Sequence, residues 1–167
     1  DGSQSKVIVD FVDWPEESDG VGVPFYPIPP EAITQMGWVE GGPPGEDDVD
    51  GDRHILIVDT TNNDLYELFN VWYDGSQWTA SNGAFFDMDT NNRRPEDWTS
   101  ADAAGLAILP GLVRYDEVYG PDEIRHAFRV TVEDTNGHVF PASHTAGDTV
   151  GALPMGARLR LKAGFDI

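Results

Sequence analysis

Apolar and polar residues alternate along the chain in short segments separated by glycine, asparagine and aspartate. Alternation with a period of two places successive side chains on opposite faces of a strand, so each segment predicts a β-strand with one buried face. No segment shows the sustained 3.6-residue periodicity of an amphipathic helix. The predicted strands are residues 6–12, 54–59, 65–73, 77–80, 83–87, 112–118, 124–132, 139–143 and 157–163.

Turn-forming residues separate several of these segments. Asp74-Gly75 is one of the strongest short hairpin signals, and Asn136-Gly137 predicts a second hairpin between its flanking segments. Residues 60–64 predict a third turn, and residues 100–106 predict one short helical turn. Short strands at a spacing of about ten residues indicate an all-β fold, a β-sandwich or jelly roll.

The first fifty residues have a different composition, because they are rich in proline, glycine and acid. The prolines are Pro15, Pro24, Pro27, Pro29, Pro30, Pro43 and Pro44. Proline cannot donate to a sheet ladder, so we expect residues 1–50 to wrap the domain as extended chain. Residues 51–167 then supply the regular strands of a single domain spanning 1–167.

The chain is strongly acidic, with 30 Asp and Glu against 10 Lys and Arg and a net charge of −20. Nucleic acid and anionic lipid surfaces require basic patches, so this composition argues against DNA, RNA and membrane partners. It is compatible with neutral glycans, bound divalent cations or a saline habitat. The absence of cysteine from the sequence excludes disulfides, zinc–thiolate sites and thiol nucleophiles.

Five sequence blocks, taken together, resemble a family of secreted bacterial proteins. They are Asp52-Arg53-His54, WTSADAAGL at 98–106, LPGLVRYDE at 109–117, IRHA at 124–127 and MGARLRLK at 155–162. The resemblance covers residues 22–167 and carries no established activity with it. It implies a secreted, extracellular protein, and a chain shorter than members that continue with a helical segment. Asp1 opens the chain without a leader, so we expect any signal peptide to have been removed.

Glu67 is the candidate for catalysis, because it shares a predicted strand face with Leu65, Phe69 and Val71. A carboxylate on an apolar face must be paired, or its pKa must rise until the group is neutral. A carboxyl group with a raised pKa is what general acid catalysis needs. The alternatives are an ion pair with an arginine such as Arg125 or Arg129, or an open groove around Glu67.

A glycoside hydrolase or lyase using Glu67 as proton donor also needs a base or nucleophile. The candidate carboxylates are Asp59, Asp102, Asp116 and Glu117, and the expected orienting residues are His126 and Arg125. Two carboxyl groups about 5–5.5 Å apart would predict retention of configuration, and a wider separation would predict inversion.

Histidines suggest a different chemistry. His54 and His126 fall in register with apolar strand positions, and His144 follows a predicted strand. Three imidazoles converging from separate strands would suit zinc, copper or iron. Alternatively, each histidine is a structural residue, or His126 pairs with Glu67 in a glycan cleft.

Acidic loops suggest calcium. Asp87, Asp89 and Asn91 have the alternate spacing that directs oxygen ligands at one hard cation. The twelfth position of such a loop is Trp98 rather than glutamate, so this is not an EF-hand. Two further oxygen-rich clusters occupy residues 48–52 and 59–64.

Aromatic residues complete the candidate site. The expected sugar-stacking residues are Trp72, Trp78, Trp98 and Tyr115. The sequence therefore favours a secreted carbohydrate-active protein acting on a polysaccharide or oligosaccharide, with a polysaccharide-degrading glycoside hydrolase or lyase as the first choice. The alternatives are a lectin-like binding module with structural calcium, a histidine-ligated metal protein, and a structural extracellular protein whose inward polar residues are merely paired.

Overall fold

The computed structural model describes residues 2–44, 51–121 and 123–165. The strands are β1 (Val9–Phe11), β2 (Ile55–Asp59), β3 (Asp64–Phe69), β4 (Trp72–Tyr73), β5 (Trp78–Ala80), β6 (Asn82–Asp87), β7 (Thr135–His138) and β8 (Leu153–Met155). The helical elements are α1 (Tyr115–Tyr119) and 3₁₀ turns at Pro15–Glu17, Pro30–Ile33 and Leu109–Gly111. The protein is thus built mostly of strands in small sheets with little helix, which confirms the predicted all-β class.

The longest strands form an antiparallel sheet in the order β2-β3-β6. Residues 60–63 make the predicted tight turn between β2 and β3, with Asn63 at a φ of 58°. In the middle strand, Glu67 lies opposite Leu56 of β2 and Ala84 of β6. The central carboxylate therefore has a strand on each side.

A second sheet has the order β1-β5-β4, with β1 parallel to β5. β4 and β5 form the hairpin that Asp74-Gly75 predicted. Asp74 Oδ1 accepts the N–H groups of Ser76 and Gln77, and Gly75 adopts a φ of 99° that favours glycine.

The predicted strand 65–73 is divided into β3 and β4 at Asn70. Asn70 has a φ of 56°, and its N–H donates to Asp52 O, away from the sheet. Its side chain donates to Ser81 Oγ and accepts from Trp72 Nε1. Asparagine tolerates this left-handed backbone, so the chain turns here and continues into β4 of the second sheet.

The two three-stranded sheets share one hydrophobic core with the N-terminal segment. Val9, Trp78 and Leu68 are buried in it together with Tyr26. Tyr26 forms backbone hydrogen bonds with Val7, and both side chains pack in this core. Part of the proline-rich segment thus packs on the sheets, where it needs few ladder hydrogen bonds.

Several predicted strands after residue 111 are wrong. Residues 115–118 of the predicted strand 112–118 belong to α1, because Glu117 accepts the Arg114 N–H and caps the start of a helix. Segments 124–132, 139–143 and 157–163 form no strand. Asn136-Gly137 lies inside β7, which pairs in parallel with β8 rather than forming a hairpin turn. Alternation shows that a segment can be a strand, but a ladder also requires a neighbouring strand.

No helix in the described part of the chain has the length and apolar character needed to cross a membrane.

Candidate functional site

Glu67 is fully buried at the centre of β3. Its carboxylate accepts hydrogen bonds from two backbone N–H groups at the start of the 3₁₀ turn Leu109–Gly111. Ile108 N lies 2.9 Å from both oxygens, and Leu109 N lies 2.9 Å from Oε1. The prediction that Glu67 is buried beside Leu65 is confirmed, although the hydrophobic core packs against the other face of β3, that of Tyr66 and Leu68. The partners of Glu67 are backbone amides rather than an arginine side chain.

Burial raises the pKa of Glu67 to about 7, because a charged carboxylate is costly to remove from water. The amide hydrogen bonds from Ile108 and Leu109 and the positive charge of Arg129 oppose this rise, and Asp102 adds to it. Arg129 is itself paired with Asp102 at 3.0 Å. Glu67 is therefore a buried carboxylate covered by the 100–111 loop, and the more exposed Arg129–Asp102 pair acts on it electrostatically.

The 100–111 loop is held in place by its own hydrogen bonds. Ser100 Oγ lies 2.7 Å from both Asp102 O and Leu106 O, and Gly105 N donates to Asp102 O. The predicted helical turn at 100–106 is instead a compact loop. Because the loop is fixed, it presents Ile108 N and Leu109 N to the carboxylate.

His126 does not orient Glu67, and that predicted pair is wrong. His126 Nε2 lies 3.0 Å from Glu117 Oε1, and Glu117 also binds Arg114. The hydrogen bond with Ala127 O, and after it the contact with Glu117, raises the pKa of His126. The hydrogen bond from the Arg114 N–H is the main cause that lowers the pKa of Glu117. The structure does bring together two predicted catalytic residues, Glu117 and His126, while Arg125 is exposed.

The remaining predicted carboxylates lie elsewhere. Asp116 is exposed on α1, and Asp102 is engaged with Arg129. Asp59 lies at the end of β2, where it accepts from Thr61 N and Asn62 Nδ2.

The three histidines predicted as metal ligands do not converge. His54 contacts Glu40 and Ala101 O, whereas His144 contacts Ala103 O and His126 contacts Glu117. Within residues 2–44, 51–121 and 123–165, no three His, Asp or Glu side chains are grouped to hold a metal ion. The predicted three-histidine site is therefore wrong.

The predicted calcium loop is a set of exposed oxygens after β6. Asp87 Oδ1 accepts the Asp89 N–H, and Asp89 Oδ1 accepts from Asn63 Nδ2. Asn91 is exposed two residues further on. Calcium binding at this loop stays a prediction. The acidic cluster predicted at 48–52 lies largely outside the described residues.

The predicted sugar-stacking residues are in unlike environments. Guanidinium groups cover two of them, since Arg53 lies 4.2 Å from the Trp72 ring and Arg94 5.2 Å from the Trp98 ring. Tyr115 is 79% exposed on α1 and stacks on Tyr119. Trp78 is mostly buried, with its ring 4.8 Å from that of Tyr73.

Tyr73 and Trp78 line a surface groove between the N-terminal segment and the β4–β5 hairpin. This groove has a volume of about 590 Å³, and its polar lining residues are Gln4, Ser5, Lys6, Ser76 and Gln77. A smaller cavity of about 300 Å³ adjoins it, shares Gln4 and Pro29 with it, and runs along β2. Glu67 lines neither cavity.

The sequence reasoning missed Gln4, Lys6 and Gln77 as groove residues. Lys6 Nζ donates to Tyr66 Oη, and Gln77 lies in the hairpin about 70 positions further along the chain. Nothing in the local pattern brings these residues together, because the docking of the N-terminal segment on the second sheet creates the groove.

The fold and groove define a small β protein with an aromatic-lined surface cleft and an inaccessible carboxylate. Comparisons with protein-family models, with curated proteins and with solved structures found no match to this chain.

The ionisation of Glu67 predicts a measurable pH dependence. The pKa is about 7 in the folded protein and about 4.3 in an unfolded chain, so the folded state holds one extra proton between these values. The stabilisation is complete below pH 4.3 and is lost as pH rises through 7. Relative to E67Q, which cannot titrate, the wild type should lose about 3 kcal/mol of unfolding free energy over this range.

Urea unfolding of both proteins from pH 4.5 to 8 measures this difference. The variant E31Q, which replaces an exposed carboxylate, is the control. Its free energy of unfolding should change with pH in parallel with that of the wild type. Parallel curves for the wild type and E67Q would show that Glu67 does not titrate in this range.

Proposed function

We propose that this protein is a secreted carbohydrate-binding module that holds a neutral polysaccharide chain in the groove beside Tyr73 and Trp78. Its scaffold is a β-sandwich of the two three-stranded sheets, which we propose from the core that they share. The single observation that carries the function is the combination of aromatic and polar side chains in one open groove.

The groove supplies the two kinds of contact that sugars use. Tyr73 is partly exposed and packs on the buried Trp78, so it gives a rigid aromatic surface that can pack against the apolar face of a pyranose ring. Gln4, Ser76 and Gln77 bring amide and hydroxyl groups that can donate to and accept from sugar hydroxyls. A mostly apolar cleft with a few polar groups is the usual form of a small-molecule site.

The net charge supports a neutral ligand over an anionic one. At −20 the protein repels polyuronates and sulfated glycans, and the repulsion extends about 10 Å at 0.1 M salt. Lys6 is a cation at the groove, but its ammonium group already donates to Tyr66 Oη.

Binding is favoured over catalysis by the surroundings of Glu67. Its oxygens are occupied by Ile108 N and Leu109 N, and the side chain is 0% exposed. A general acid must come within hydrogen-bond reach of the substrate oxygen that it protonates. Glu67 meets that condition only when the 106–111 loop moves away.

A glycoside hydrolase is the second candidate function, because the raised pKa of Glu67 keeps a proton available near pH 7. The variant E67Q separates the two proposals. Polysaccharide depolymerisation that falls by a factor on the order of 10²–10⁴ in E67Q supports an enzyme. Sugar binding that is unchanged in E67Q, without any depolymerisation, supports the module.

Substitution of Tyr73 tests the groove directly. Y73L keeps an apolar side chain but removes the flat ring, so affinity for a neutral polysaccharide should fall about tenfold. The measurement is affinity electrophoresis in gels that contain soluble neutral glucans, xylans or mannans, with alginate as the anionic comparison. Calcium and a chelator in parallel gels test the predicted structural calcium.

Y115L is the matched control, because Tyr115 is an exposed tyrosine that lines neither cavity. It should bind like the wild type. Loss of binding in Y115L with retention in Y73L would place the sugar on α1 instead, and retention by both variants would contradict the groove.

A further inference from the structure

The strand β2 is an open edge with a cavity along its whole length. In the sheet order β2-β3-β6, it has a strand on one side alone. All five residues Ile55–Asp59 line the smaller cavity, and Trp38, Pro27 and Pro29 lie across it. Among the described residues, β2 makes backbone hydrogen bonds with β3 and with no other segment. An edge of this kind is a template for another strand.

Residues 157–163, the basic segment, have the sequence of a strand without being one. Leu159 and Leu161 alternate with Arg158, Arg160 and Lys162. Extended chain therefore has a leucine face and a cationic face. The segment is not assigned to any strand, and its two leucines are 64% and 58% exposed. It has the pattern of an added strand and lacks a partner in the described fold.

The cavity offers the leucine face an apolar surface. Ile55 and Ile57 lie on the core face of β2, in register with Leu68 and Tyr66 of β3. Leu159 and Leu161 of a strand added beside β2 would continue this row, because side chains on one face of neighbouring strands stand about 5 Å apart. Trp38, which is 43% exposed, would be covered by the same addition.

The charge of the basic segment favours docking on an acidic partner. Three of the ten basic residues of the chain lie within five positions, in a protein with a net charge of −20. On a strand that places Leu159 and Leu161 on the core face, these three cations lie on the opposite face, with Leu56 and Val58 of β2. The cations therefore contribute a general attraction to an acidic chain, which salt screens over about 10 Å at 0.1 M.

We propose that the basic segment of one copy of this chain adds as a strand to β2 of a second copy. Two reciprocal additions form a two-fold symmetric dimer, in which the same pair of surfaces meets twice. The partner is another copy because this chain carries both the open apolar edge and an exposed segment whose leucine spacing fits it. The inference concerns the β2 edge and stands independently of the sugar groove.

Cysteine cross-linking of the full chain tests the proposal, since the native sequence has no cysteine. Protein carrying V58C is mixed with a second protein carrying R160C and oxidised mildly. We expect covalent heterodimer to form about tenfold faster than in a control mixture of V150C with R160C, because strand addition raises the local thiol concentration. Val150 is the matched control at 94% exposure, and it lies outside the cavity.

The double variant V58C/R160C in one chain separates the alternatives. Disulfide-linked dimers support the proposal, whereas a monomer with an internal disulfide places the segment on its own sheet and overturns it. Equal rates in the two mixtures also overturn it. Light scattering gives a second readout: the wild type should be a dimer that dissociates in high salt, and L159D/L161D should be a monomer. The melting curve of L159D/L161D should match that of the wild type measured in the high salt that dissociates the dimer. A wild type that is monomeric at all concentrations and salts contradicts the proposal.

Discussion

Replacement of Glu67 by alanine should lower the free energy of unfolding by about 4 kcal/mol. The carboxylate is the acceptor for the N–H groups of Ile108 and Leu109, and Ile108 is 5% exposed. Each buried N–H left without an acceptor costs about 1–3 kcal/mol, and the vacated volume adds to the loss. Urea unfolding at pH 6, where Glu67 is largely protonated and little charge is removed, gives the cleanest measurement.

E67Q is the matched comparison, because Gln retains one oxygen that both N–H groups can reach. It should recover most of the stability lost in E67A. If E67A unfolds at the same urea concentration as the wild type, the 106–111 loop does not depend on this carboxylate. The carboxylate would then have no structural role, and the burial of Glu67 would need another explanation.

Replacement of Arg94 by alanine should destabilise the protein by about 3–5 kcal/mol. The Arg94 guanidinium is 3% exposed, pairs with Asp19 and donates to Glu17 O. Asp19 also accepts the Phe85 N–H and so connects the N-terminal segment to β6. Arg94 stabilises this connection because it pairs with the Asp19 carboxylate. Without it, Asp19 remains a partly buried carboxylate with no cation beside it.

R93A is the control, because Arg93 is the preceding residue, pairs with the exposed Glu96 and donates to Ala142 O. The exposed pair contributes little and the hydrogen bond about 1 kcal/mol, so the loss in R93A should be well below that in R94A. R94K should recover part of the loss, since lysine restores the charge but not the two-pronged contact with Asp19 and Glu17. Equal thermal midpoints for R94A and R93A would contradict the role assigned to Arg94.

Local sequence determined the parts of the fold that depend on few neighbours. The alternation of residues 54–59 and 83–87 predicted β2 and β6, and Asp74-Gly75 predicted the β4–β5 hairpin. The burial of Glu67 on the same strand face as Leu65 also followed from alternation. These features could be predicted because side-chain direction on a strand, and the backbone of a tight turn, are set by a few consecutive residues.

The partners of those residues were decided by the tertiary structure alone. Glu67 meets Ile108 and Leu109, more than 40 positions away, because the 100–111 loop folds over β3. The histidines failed to converge because His54 and His144 contact backbone oxygens of that loop, and His126 remains near α1. The predicted strands after residue 111 did not form ladders because a ladder requires a sheet edge beside the segment in the folded chain. The position of a segment relative to a sheet edge is set by the tertiary structure, and alternation within the segment does not encode it.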